Sequence, residues 1–170
     1  MKIKVAASLA VLALIGSPAR SAPVCSDFQP YLIATDAQYA ANRGEQVDEA
    51  KWKARTPIPG GDCIIAYWAA PRGMSITCSF DEGAARDARL SSYRSLSKLM
   101  QECLDGIESR DDWRKRETSK IEFDGDVVTQ IVWTWTQIRN RMERQIVLSN
   151  NTGGTIPAKN QLEMIWRTRD

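Results

Sequence analysis

Four cysteines, at positions 25, 63, 78 and 103, stand behind an N-terminal stretch laid out like a secretory leader. Nothing else in the chain constrains the fold as much, because four cysteines that pair fully have three possible connectivities. Lys2 and Lys4 precede the apolar run from Val5 to Ile15, and the small residues of GSPARSA follow it. Residues 1–22 therefore read as a signal peptide, with cleavage near 19–22. Export leads to a periplasmic or secreted, oxidising setting in which disulfides persist. Residues 23–170 suit a single globular domain with one core. No later apolar run approaches the roughly 20 residues that span a bilayer, so no transmembrane anchor is expected in the mature chain.

The cysteines read as structural. None has C-x-x-C spacing, and separations of 37, 14 and 24 intervening residues fit no common zinc knuckle. Cys63 and Cys78 bracket CIIAYWAAPRGMSITC, which predicts a hairpin. A loop of Ala70, Pro71, Arg72 and Gly73 places Ala69 opposite Met74, Cys78 opposite Ile65 and Cys63 opposite Phe80. The two sulfurs then share a face but stand two residues out of step, so a bridge requires a register shift or a bulge. A helix starting at Glu82 carries Cys103 about 30 Å along its axis, beyond the reach of either hairpin cysteine. The expected pairs are Cys63–Cys78 and Cys25–Cys103.

Along the chain, residues 26–43 read as a helix with Phe28, Tyr31, Leu32, Ala34 and Tyr39 on a partial apolar face, ended by Gly44. EQVDEAKWKAR reads as a second, mostly polar helical turn or two, and TPIPGGD as a loop. Ser79 with Glu82 has the form of a capping box. It opens a long helix whose apolar positions Tyr93, Leu96, Leu99, Met100, Cys103, Leu104 and Ile107 recur at spacings of three and four. From Trp113 onward the period becomes two, giving strands over WRKRETSKIEF, VVTQIVWTWTQI, MERQIVLS and QLEMIWRTR, the first two joined at Asp124-Gly125.

Histidine is absent, which removes Ser-His-Asp and Cys-His catalysis, histidine-ligated zinc and a histidine pH switch. No cofactor is expected. Removing Lys2, Lys4 and Arg20 with the leader takes three positive charges from a formal +2 and leaves about −1, which gives no pull toward nucleic acid. Ser95-Leu96-Ser97-Lys98 has the S-x-x-K form of serine acyltransferases, but S-x-N and K-T-G partners are missing, and a solvated helix face accounts for it. Asp124-Gly125-Asp126 supplies too few oxygens for calcium and reads as a turn. Asn150-Asn151-Thr152 is a glycosylation sequon in form. Arg114, Lys115, Arg116, Arg139, Arg141 and Arg144, with Glu117, Glu122 and Glu143 among them, read as cross-strand ion pairing on a solvated face. Trp133 and Trp135 share one face of a strand, either as a stacking platform for a ligand or as core beneath the long helix.

The element order predicts an α+β fold: an N-terminal helix, a disulfide-stapled hairpin, a long helix and an antiparallel meander. That order resembles the NTF2-like and cystatin-like arrangements, in which a curved sheet carries helices on one face. The function expected of such a chain is non-enzymatic binding of another protein or envelope component, as by an inhibitor, immunity or secretion-accessory factor. The alternative is a small-ligand pocket or a carboxylate-based enzyme with a tryptophan-lined cavity.

Overall fold

The computed structural model describes residues 22–32, 34–69, 72–107, 113–123, 126–137, 142–152 and 157–168. Residues 1–21 of the expected leader, Asp124-Gly125 of the expected turn, and Arg139 and Arg141 lie outside them. The fold is mixed α+β with two disulfides. Its elements are α1 (Cys25–Leu32), α2 (Asp36–Ala41), β1 (Arg43–Asp48), β2 (Lys51–Ala54), β3 (Asp62–Ala69), β4 (Arg72–Phe80), α3 (Arg86–Asp105), β5 (Trp113–Phe123), β6 (Asp126–Gln137), β7 (Met142–Asn151) and β8 (Lys159–Thr168). All eight strands form one antiparallel sheet in the order β1-β2-β3-β4-β8-β7-β6-β5.

The N-terminal region departs from the single helix that its composition suggests. Pro30 lacks an amide proton and lies in the last turn of α1. A new start follows at Thr35, whose backbone N–H donates to Gln38 Oε1 at 2.7 Å, one half of a capping box. The polar segment after Gly44 is a hairpin, β1–β2, rather than helical turns. Gly44 permits it, because a β-carbon there would stand 3.0 Å from the Lys53 carbonyl oxygen.

The disulfides are Cys63–Cys78 and Cys25–Cys103. The hairpin register differs from the expected one: Ala69 faces Arg72, so Cys63 and Cys78 are direct partners with Cα atoms 4.0 Å apart. No bulge is required. Arg72 and Gly73 extend β4 instead of forming the turn, and Gly73 leaves the room that the Trp68 ring fills. The long helix also begins later than Ser79 and Glu82 suggest. Ser79 belongs to β4, and a turn with Asp81 (φ 57°) and Gly83 (φ 76°) intervenes before α3.

Register aligns the apolar side chains into rows across the sheet. Ile65, Ile76, Met164, Ile146 and Trp133 form one row, and Cys63, Cys78, Leu162, Leu148 and Ile131 the next. Both rows are buried. Onto them α3 packs across β7 and β8 and α1 packs on α3, where the Cys25–Cys103 bridge joins α1 to the last turn of the long helix. Among the described residues no helix is long and apolar enough to cross a membrane.

Candidate functional site

The two tryptophans of β6 have different surroundings. Trp133 is 1% exposed, and its indole N–H donates to Gln101 Oε1 of α3 at 3.1 Å. Trp135 lies two residues further along the strand and is only partly covered. The Arg144 guanidinium stands 5.5 Å from its ring centroid and donates Nη1–H to the Leu32 carbonyl at 2.6 Å. Burial presses Arg144 below the usual arginine range, and the nearby Tyr39 oxygen opposes that shift. Tyr39 is itself buried, which pushes its phenol up. On the same side of the sheet Arg43 lies 4.0 Å from the Trp52 ring centroid and 6.0 Å from that of Tyr67. Two arginines thus rest on aromatic faces near α2, an arrangement that stabilises desolvated cations.

Arg144 therefore does not belong to a solvated ion-pair face. Its neighbour Glu143 does pair across strands, as the alternation implies, with Arg167 as direct partner. Arg167 Nε–H and Gln145 Nε2–H both donate to Glu143 Oε1, at 3.0 and 2.9 Å.

A concavity lies elsewhere. Helices α1 and α2 face the loop after β2 across a groove of about 550 Å³ with apolar walls from Pro30, Tyr31, Pro57 and Pro59. Asp27, Gln38 and Arg55 add polar groups. Its walls are held in several ways. Ile58 anchors the loop in the core, and Tyr31 Oη–H donates to the Thr56 carbonyl while accepting from Asn42 Nδ2. Asn42 Oδ1 accepts the Thr56 amide at 2.8 Å. Burial raises the Tyr31 phenol, and the Asn42 bond opposes the rise. Cys25–Cys103 fixes the start of α1.

A second cleft, about 590 Å³, lies near the start of α3, with Asp62, Asp81, Glu82 and Ser92 among its lining residues. Asp81 Oδ2 accepts from Asn160 Nδ2 at 2.8 Å, and the same amide group donates to the Arg89 carbonyl. This cleft and Trp135 sit at opposite ends of the strands, as the register from Phe80 through Asn160 and Asn150 shows. Among the described residues no group of three or more His, Cys, Asp or Glu side chains is placed to hold a metal. Lys98 lies on the solvent side of α3 in an ion pair with Glu102 at 3.7 Å, and Ser95 is exposed. Asn150 of the sequon is 2% exposed and donates Nδ2–H to Asn160 Oδ1 at 2.7 Å.

No protein-family model, curated protein or solved structure matches the chain. Function is therefore argued from these sites. Sequence reasoning missed Tyr31 and Asn42 as a paired wall, and Arg43 and Arg144 as arginines on indoles. The proline pair at 57 and 59 was the available signal for a stiff loop. Nothing in the local pattern marks which helix that loop faces.

Proposed function

We propose that the protein is an exported, non-enzymatic binder that receives an extended segment of another protein or an envelope component in the groove between α1, α2 and the β2–β3 loop. The observation that carries this reading is the fixed groove itself, walled by Pro30, Tyr31, Pro57 and Pro59. Proline and tyrosine surfaces suit extended chains, since they offer rigid apolar area at small entropic cost. The two disulfides favour an oxidising, extracytoplasmic setting. The long helix over a continuous antiparallel sheet is also the reason for reading the architecture as NTF2-like or cystatin-like.

The test is site-specific photocrosslinking of the mature protein in the extracytoplasmic fraction of its source. A photoreactive residue at Ala41, on the groove, is expected to give one discrete adduct, and the same residue at Arg94, exposed on α3, none. Identical adducts from both positions, or none from Ala41, would overturn the assignment.

A further inference from the structure

Arg144 and Trp166 are direct partners across β7 and β8, on the face that carries Ile146 and Met164. Their side chains leave the sheet beside one another. Arg144 Nε and Trp166 Nε1 are both buried and both without a hydrogen-bond acceptor. An indole nitrogen can only donate, and a guanidinium has five donor hydrogens and no acceptor. Buried donors in folded proteins are almost always satisfied, so two of them on direct cross-strand partners, one charged, call for an acceptor.

The geometry of Arg144 narrows the acceptor. Its Nη1 is committed to Leu32, and among the described residues no carboxylate neutralises it. The edge formed by Nε–H and Nη2–H remains, the fork that matches both oxygens of a carboxylate. The Trp135 and Trp166 side chains are only partly covered, so planar apolar area adjoins the fork.

We propose that Arg144 and Trp166 form a binding site for a small planar carboxylate, such as an aromatic carboxylic acid. The carboxylate lies on the Nε–Nη2 edge of Arg144, one of its oxygens accepts from the Trp166 indole, and the apolar part contacts the partly exposed indoles. This site is separate from the groove, and neither assignment depends on the other.

The experiment is a nitrogen–proton NMR titration of the uniformly ¹⁵N-labelled mature protein with benzoate, benzamide and inorganic phosphate, the Trp166 indole signal being assigned through Trp166→Phe. Benzoate is expected to shift the Trp166 indole N–H and the Arg144 Nε–H downfield in a saturable way, while neutral benzamide leaves both in place. Arg144→Lys, which keeps the charge and loses the fork, should weaken benzoate binding by about tenfold or more. Arg94→Lys, far from the site, should leave it unchanged. An absent benzoate shift, an equal response to benzamide, or saturation by phosphate but not by benzoate would overturn the assignment. Because the shift is read first on the unaltered protein, the test stands even where Arg144→Lys fails to fold.

Discussion

Trp68 occupies the space that a side chain at position 73 would need: a β-carbon on Gly73 would meet the indole Cε2 at 2.6 Å. The two residues are cross-strand partners, so the clash cannot be relieved by sliding one strand alone. Gly73→Val should cost about 1–3 kcal/mol in urea unfolding, as overpacking does. In a Trp68→Ala background the same substitution should cost far less. A double-mutant cycle with no coupling between the two positions would show that the ring moves freely out of the way.

The disulfides should contribute unequally. Cys25–Cys103 closes a separation of 78 residues and Cys63–Cys78 one of 15. Loop-closure entropy then predicts losses of about 4–5 and about 3 kcal/mol on replacing each pair by serine. Denaturant midpoints of the two double-serine variants would decide it, and a greater loss for the short loop would mean that native-state contacts outweigh chain entropy.

Trp133→Ala should be severely destabilising, by about 3–5 kcal/mol, since it empties core space and leaves Gln101 without its donor. Trp135→Ala should stay folded, because that ring is only partly covered. Thermal melts followed by far-UV circular dichroism measure both. Comparable losses in the two variants would place Trp135 in the same packed core.

Asn160 is completely buried and joins Asn150, Asp81 and the Arg89 carbonyl, tying the first turn of α3 to the sheet. Asn160→Ala should cost about 1–3 kcal/mol for each buried group it orphans. The same burial makes Asn150 a poor acceptor of glycan in the folded chain. Mass spectrometry of protein secreted from a glycosylating host should find Asn150 bare, and stoichiometric glycan there would mean that this corner is open when the modifying enzyme meets it.

Alkaline pH should weaken the fold. Burial raises the phenols of Tyr31 and Tyr39 above their ordinary value of 10.0, so the unfolded chain releases these protons first. The stability linked to the neutral phenols is complete below about pH 10 and is lost as pH rises through the higher folded-state values. Tyr39→Phe should flatten the alkaline limb of a stability-against-pH curve. An unchanged limb would assign it to other groups.

Much of this architecture is legible in the residues, and the misses share a physical cause. Period-two alternation from Trp113 onward marks the four strands of the meander, and in β8 it matches burial at every second position from Asn160 to Met164. The long helix is visible in the three-and-four spacing of Tyr93 through Leu104. Both disulfides follow from length and reach. The failures fall where tertiary contact overrides a local signal. EQVDEAKWKAR has helix-forming composition, yet Trp52 pairs with Ile65 of β3 and carries Arg43 on its ring, and the segment becomes a hairpin. Pro71-Arg72-Gly73 looks like a turn, but Gly73 is a strand residue that admits Trp68. The groove depends on α2 meeting a proline loop, and no local pattern records that encounter.

The place of β8 in the sheet bears on how the chain assembles. The strand lies between β4 and β7, so the portion formed before α3 and the meander formed after it share no neighbour until residues 159–168 arrive. A chain emerging from its N-terminus therefore cannot join the β1–β4 half-sheet to the β5–β7 half-sheet before β8 is present, and the inner edges of β4 and β7 stay unpaired until then. One strand is thus the keystone of the sheet: the two halves become a single cooperative unit only through its two edges.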